Sequence, residues 1–175
     1  MKKLLFLTFG ILILTGCSSN GNVSKIAYLR SAALDGNRFT LSFFTEEDGV
    51  ITITADSPEE AKKTAELSVG KEIFTGHTEL IMLKNCDNLK TLDYMLHEWK
   101  VSPSCMIAQP EFNGRTILEQ KKPEELTGSI KMAQEQELAP ECDIITVLSG
   151  LLNDDRTAEA AELSEKGFCG VVKLK

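Results

Sequence analysis

The two histidines of the chain are the residues at which metal or hydrolytic chemistry would first be sought. His77-Thr78-Glu79 has the H-x-E spacing of zinc deaminases, but the sequence lacks the downstream Pro-Cys-x-x-Cys that completes such a site. His97-Glu98 lacks the second histidine of the H-E-x-x-H helix of zinc hydrolases. The chain also has no P-loop, nucleophile motif or glycine-rich dinucleotide fingerprint. The sequence therefore predicts no catalytic, metal-binding or cofactor-binding residue, and a protein that is not an enzyme.

Four of the five cysteines lie too far apart for a common metal or redox motif. Cys86, Cys105, Cys142 and Cys169 show neither C-x-x-C spacing nor the spacing of a zinc knuckle. Export would permit disulfides, and four cysteines allow three pairings. We expect mostly free thiols, with Cys105 and Cys169 as small buried hydrophobes inside apolar strands.

The fifth cysteine follows a segment that is typical of an export signal. Lys2 and Lys3 form a short positive region, and Leu4–Leu14 is an apolar run too short to span a membrane. Leu14-Thr15-Gly16-Cys17 resembles the bacterial lipobox, which implies cleavage before Cys17 and its modification by S-diacylglycerol and an N-acyl chain. The alternative is a plain cleavable signal with an incidental cysteine.

This interpretation predicts a signal peptide over residues 1–16, a flexible polar tether over residues 17–24 and a single folded domain over residues 25–175. Loss of Lys2 and Lys3 with the signal makes the body more acidic than the full chain, whose net charge is −7. Such a body offers no basic surface for nucleic acid or for anionic lipid headgroups. The acylated cysteine would therefore hold the protein at the outer face of the cytoplasmic membrane.

Alternating residues and two turn dipeptides predict an antiparallel meander of three strands over residues 26–55. Asp35-Gly36 and Asp48-Gly49 favour tight turns between these strands. One face of the middle strand carries apolar residues only, namely Phe39, Leu41 and Phe43. We therefore expect a meander with one buried face.

A helix and a β-α-β unit should follow the meander. Ser57 is a predicted N-cap, with Pro58 at the first helical position and Glu60 completing a capping box. This helix should end near Gly70. Apolar runs predict two central parallel strands, Leu80–Leu83 and Cys105–Ala108. A helix of about thirteen residues between them has one apolar stripe, formed by Leu89, Leu92, Leu96 and Trp99.

The last part of the chain should be mostly helical. The predicted elements are a short turn at Arg115–Gln120, a polar helix over Glu124–Leu138 weakened by Gly128, an amphipathic helix over Asp143–Leu152 and an extended Lys166–Lys175. Together these features predict an α+β fold in which a mixed β-sheet, made of the meander and the β-α-β unit, packs with helices.

The order of these features resembles the amino-terminal domain of the Ger(x)C family, the lipoprotein C subunits of spore germinant receptors. Members are exported lipoproteins with an aspartate-containing turn, a Glu-Glu-Ala helix start, a Gly-His pair before an apolar strand, a Leu-Asp-aromatic helix, an Ile-Leu-Glu helix start and a closing strand. The similar segments here are Ala32–Gly36, Glu59-Glu60-Ala61, Gly76–Leu83, Leu92-Asp93-Tyr94, Ile117-Leu118-Glu119 and Lys166–Val172.

The resemblance implies a non-catalytic accessory subunit that contacts two integral membrane subunits, of the A and B types, at the spore inner membrane. It marks Gly76 and His77 either as a structural turn, with the imidazole hydrogen-bonded to backbone, or as part of an interaction surface. Family members usually continue into further α/β domains, whose functions are not carried over. The alternative is a generic lipoprotein that binds a small ligand at the carboxyl edge of the sheet for a transporter or sensor.

Overall fold

A computed structural model describes residues 25–45 and 49–175. These residues form eight strands and five helices around one hydrophobic core. In chain order they are β1 (Ile26–Asp35), β2 (Arg38–Phe43), β3 (Val50–Thr54), α1 (Pro58–Val69), β4 (Glu72–Phe74), β5 (Leu80–Lys84), α2 (Asn88–His97), β6 (Met106–Pro110), α3 (Gly114–Gln120), α4 (Pro123–Glu135), α5 (Ile144–Leu152), β7 (Ala158–Ser164) and β8 (Gly167–Leu174).

All eight strands belong to one mixed sheet. Its order is β3-β2-β1-β5-β6-β7-β8, and β4 pairs with the beginning of β1. Strands β1, β5, β6 and β7 are parallel neighbours, whereas β1-β2-β3 and β7-β8 are antiparallel. The α+β class, the meander and the parallel β5-α2-β6 unit are therefore confirmed.

Helices cover both faces of the sheet. Successive residues of a strand point to opposite faces. Leu34 and Phe39 face α1 and α2, whereas Ala33 faces α3, where it lies against Gly114. Thr40 pairs with Ala33 and is only 2% exposed. The expectation of one buried face for the meander is thus wrong, because α3 packs over all three of its strands.

Local signals locate the start and the end of α1. The Ser57 hydroxyl accepts a hydrogen bond from the backbone N–H of Glu60 at 3.2 Å, and the Glu60 carboxylate accepts one from the N–H of Asp56 at 2.9 Å. Gly70 ends the helix in the left-handed conformation, with φ 70°. The sequence signals were sufficient here because capping depends on adjacent residues only.

The predicted helices differ from the observed ones where tertiary contacts decide. Helix α2 has ten residues rather than about thirteen. Trp99 is buried, but it lies beyond the last helical residue, His97. The predicted turn at Arg115–Gln120 is the helix α3, capped by Asn113. The helix α4 ends at Glu135 rather than Leu138, since Glu137 has a positive φ of 59°.

Strands β4 and β7 are absent from the predicted elements. The three residues of β4 are too few to show a pattern. The β7 sequence, Ala-Glu-Ala-Ala-Glu-Leu-Ser, consists mostly of residues that favour helices. Pairing with β6 on one side and β8 on the other overrides that preference.

Asp143 caps α5, and we expect its contribution to stability to depend on pH. Its carboxylate accepts hydrogen bonds from the N–H groups of Ile145 and Thr146, both at 3.0 Å, and from the Thr146 hydroxyl at 2.6 Å. Partial burial raises the pKa of Asp143, but these hydrogen bonds together outweigh it and hold the pKa below its usual value. The stabilisation is therefore complete above the unfolded pKa of about 3.9 and is lost as the pH falls through the folded pKa.

Asp143→Ala should lower the free energy of unfolding by about 1 kcal/mol at neutral pH. Asp143→Asn is the matched control, because its amide oxygen can cap the helix but does not titrate. Urea unfolding of the three proteins at neutral pH, and again well below a pH of about 4, measures the effect. A difference between wild type and Asp143→Ala that persists unchanged in acid would contradict this account.

Candidate functional site

Cys17 lies outside the described residues, together with the rest of the lipobox, the tether and the hairpin tip Glu46–Asp48. Within residues 25–45 and 49–175, no helix combines the length and the apolar character needed to cross a bilayer. Gly76 and His77 are the predicted site residues whose surroundings the structure describes.

Gly76 and His77 lie in the loop that joins β4 to β5. Both strands run parallel to β1, with β4 beside its first residues and β5 beside its last. The Thr75 hydroxyl donates a hydrogen bond to the carbonyl of Trp99. The hydroxyl and the N–H of Thr78 both donate to the carbonyl of Thr75, at 2.7 Å and 3.1 Å. Because both threonines are buried, the loop is held at its two ends.

His77 is exposed and packs against aromatic rings. Its ring centroid is 6.2 Å from that of Tyr28, with an interplanar angle of 22°, and 5.2 Å from that of Phe74, at 65°. The centroids of Tyr28 and Phe74 are 5.6 Å apart. In the described part of the chain the imidazole makes no hydrogen bond, so ring packing rather than a bond to backbone orients it.

The absence of a side chain at Gly76 permits this packing. A Cβ atom at Gly76 would lie 2.8 Å from Cζ of Phe74 and 3.6 Å from the carbonyl oxygen of Lys100. A fourth ring, Phe44, adjoins the cluster, since its N–H donates to the carbonyl of Tyr28 at 3.0 Å. We call these four rings the aromatic patch: Tyr28, Phe44, Phe74 and His77.

A charged cluster borders the aromatic patch. Nε of Arg30 is 3.0 Å from a carboxylate oxygen of Glu79, and its Nη1 is 2.7 Å from one of Glu124. The guanidinium carbon also lies 4.8 Å from the ring centroid of Phe44. Because both glutamates are substantially exposed, each ion pair contributes roughly 1 kcal/mol or less. These contacts join α4 to β1 and to Glu79, which directly precedes β5. An open cleft of about 870 Å³ lies beside them.

A second concavity, of about 950 Å³, lies between α1 and α2 and extends to the carboxyl ends of β1 and β5. Its apolar lining comes from Leu34, Phe39 and Trp99. Trp99 is 3% exposed, and its Nε1–H has no hydrogen-bond acceptor among the described residues. An unpaired buried donor costs about 1–3 kcal/mol. We call this concavity the helix groove.

Charges of both signs line the rim of the helix groove. Lys63 forms an ion pair with Glu59 at 2.6 Å on α1, and Nδ1 of His97 lies 3.1 Å from a carboxylate oxygen of Asp93 on α2. The hydrogen bond and the charge of Glu59 raise the pKa of Lys63, and Lys63 in turn lowers the pKa of Glu59. Desolvation, followed by the charge of Glu59, raises the pKa of Tyr94, so its phenol remains a donor at neutral pH. The rim therefore suits a small molecule that carries both charges.

The four cysteines of the described residues are free thiols, as expected. Cys105 is buried, and desolvation raises its pKa. The expectation that Cys169 is buried is wrong: it is exposed. The reason is that β8 is an edge strand and that α4 packs near Phe168, whose side chain points to the opposite face.

Cys169 should therefore be the fastest of these thiols to react with iodoacetamide in the folded protein. Desolvation raises the pKa of Cys169, and the charge of Glu162 adds to the shift, so the rate should increase as the pH rises above the usual cysteine pKa of about 8.5. Cys105 should react only on unfolding. Mass spectrometry of timed samples, with Cys169→Ser as the control, measures both rates. Equal rates for Cys105 and Cys169 would refute the assignment.

The described residues contain no group of three or more histidine, cysteine, aspartate or glutamate side chains arranged to hold a metal ion.

In comparisons with known proteins, no protein-family model, no curated protein and no solved structure matches this chain. Two surfaces therefore stand as candidate sites on geometry alone, the aromatic patch at the amino-terminal ends of the parallel strands and the helix groove that reaches their carboxyl ends.

Proposed function

We propose that the protein is a lipoprotein held at the outer face of the cytoplasmic membrane by acylated Cys17. It acts through protein–protein contacts as a non-catalytic accessory subunit of a spore germinant receptor, with integral membrane subunits of the A and B types as partners. The observation that carries the proposal is Leu14-Thr15-Gly16-Cys17, which stands after an apolar run and directly before the polar residues that lead into the folded part.

The placement of the family-like segments in the fold supports the proposal. Asp35-Gly36 forms the turn between β1 and β2, with a φ of 59° at Gly36. Gly76-His77 lies two residues before β5, a strand with four consecutive buried residues. Leu92-Asp93-Tyr94 lies in the helix between two parallel strands. Ile117-Leu118-Glu119, in contrast, lies in the second half of α3 rather than at a helix start.

Deletion of the gene tests this function. Spores that lack the protein should lose their response to nutrient germinants, while the abundance of the integral membrane subunits is unchanged. A wild-type copy should restore the response, and a Cys17→Ala copy should not, because the protein must be held beside its partners. Normal nutrient germination in the deletion strain would overturn the proposal.

A small-ligand-binding lipoprotein for a transporter or sensor is the second candidate, and the helix groove favours it. The groove combines an apolar wall, formed in part by Trp99, with a rim that carries charged residues of both signs. It also reaches the carboxyl ends of parallel strands, where open α/β sheets bind ligands.

A thermal-shift screen with amino acids and sugars separates the two candidates. A ligand at 100 times its dissociation constant should stabilise the fold by about 2.7 kcal/mol. Trp99 is the only tryptophan of the chain, so its fluorescence should report occupancy of the groove. A screen without any stabilising compound favours the accessory-subunit function.

A further inference from the structure

The aromatic patch lies where the chain enters the fold. The described chain begins at Lys25, and Tyr28 is the third residue of β1. The loop from β4 to β5 and the end of β2 bring Phe74, His77 and Phe44 to the same end of the sheet. Phe74 is 44% exposed and Phe44 40% exposed, so both present apolar surface to solvent. The fold by itself therefore leaves part of both rings in contact with water.

The distance from Cys17 to this patch is short. Seven residues stand between Cys17 and Lys25, and the eight steps from one to the other span at most about 29 Å in a fully extended chain. With Cys17 acylated, as proposed above, Lys25 therefore stays within about 29 Å of the lipid surface. The carboxyl end of β1 lies about 30 Å further along the strand. The aromatic patch is thus the end of the described fold that is nearest to the anchor.

The chemistry of the patch fits the headgroup region of a bilayer. Tyr28 and His77 combine a ring with polar atoms, and such amphipathic rings are favoured at the membrane–water interface. The charged residues around the patch have both signs. Lys25 precedes β1, and Lys71 and Glu72 precede Phe74 in the chain. Lys100 lies near Gly76, and Glu79 pairs with Arg30. Contact would therefore depend on the rings rather than on anionic lipid.

We propose that the aromatic patch rests in the headgroup region of the bilayer that holds acylated Cys17. This proposal depends on the proposed anchor. Contact there fixes the orientation of the fold, with β1 rising from the membrane. The helix groove then opens away from the lipid at the Gly36 and Ser57 end, where a soluble ligand or partner domain can reach it.

Fluorescence quenching by brominated phosphatidylcholine tests the contact. The full acylated chain is reconstituted in vesicles as Phe74→Trp and, as the matched control, as Phe112→Trp, each combined with Trp99→Phe so that one indole remains. Phe112 is also exposed, at 76%, but it follows β6 at the opposite end of the strands. The indole at position 74 should lose emission and shift to shorter wavelength, whereas the indole at position 112 should not. Circular dichroism checks that each variant is folded.

The possible outcomes separate the docking of the patch from the anchor. If the protein floats with the vesicles but the indole of Phe74→Trp remains unquenched, the docking of the patch is overturned and the anchor is not. Protein that does not float with the vesicles overturns the anchor and the docking together. Shielding of Phe74→Trp only after integral membrane subunits are added would assign the patch to a protein partner and overturn the lipid contact.

Discussion

Replacing Cys17 by alanine should release the protein from the membrane into the soluble extracytoplasmic fraction. Each acyl methylene that inserts into lipid contributes about 0.8 kcal/mol, and two chains hold a protein far longer than one. Without the thiol of Cys17, no diacylglycerol can be attached. Because the full chain has a net charge of −7, the rest of the protein has no electrostatic attraction to anionic headgroups that would replace the anchor. Fractionation by flotation, together with incorporation of a labelled fatty acid, measures the change.

Cys169→Ala is the matched control for this loss of attachment. It removes the exposed thiol of an edge strand in the folded part, and it should leave both flotation and fatty-acid incorporation unchanged. If Cys17→Ala remains with the membrane after an alkaline wash, the lipobox interpretation fails. If Cys17→Ala is soluble but wild type carries no fatty acid, the segment is a plain export signal.

The elements that sequence alone could predict are those fixed by neighbouring residues. The capping residues around Ser57 locate the start of α1 without reference to the rest of the fold. The four buried residues at the start of β5 form a continuous apolar run, which indicates a central strand. In contrast, β7 has a helix-favouring composition and is a strand only because β6 and β8 pair with it. Its identity depends on contacts between residues far apart in the sequence.

The candidate sites show the same division. The Gly76-His77 pair could be singled out from sequence, because a glycine before a histidine and an apolar strand is a local pattern. Its partners could not, since Tyr28 comes from β1 and Phe44 from the end of β2. The ion pairs of Arg30 with Glu79 and Glu124 join residues from three separate elements. The pairing of β1 with β2, β4 and β5 and the packing of α4 bring these groups together.

The helix groove could not be predicted from the residue pattern. Its apolar lining includes Trp99, which the stripe of α2 assigned to the core, and the residue is indeed 3% exposed. Helix α1 packs on the sheet through Ala61 and Ala65, its two buried residues. The larger polar residues of α1, among them Lys62 and Lys63, line the groove on the side that faces α2. The groove results from that choice of residues, but its depth depends on where α2 lies.

Gly114→Ala should destabilise the fold, because the added methyl group has no room between α3 and β1. Gly114 begins α3, and a Cβ there would lie 2.5 Å from the Cβ of Ala33 and 3.6 Å from Cγ of Pro110. Neither atom is at the end of a flexible side chain, so α3 must move away from β1. Overpacking of this kind costs about 1–3 kcal/mol. Urea unfolding should show a lower midpoint with an unchanged m value.

Gly128→Ala is the opposite case on the neighbouring helix and provides the control. Gly128 lies inside α4, and nothing stands within 4 Å of the position that its Cβ would take. Alanine there should therefore stabilise the protein by up to about 1 kcal/mol, because glycine disfavours a helix interior.

The double variant Ala33→Gly with Gly114→Ala tests whether the loss at position 114 comes from the steric clash with Ala33. Since the clash is between those two methyl groups, Ala33→Gly should recover part of the stability that Gly114→Ala loses. Strict additivity of the two losses would show that contact with Ala33 is not what limits position 114.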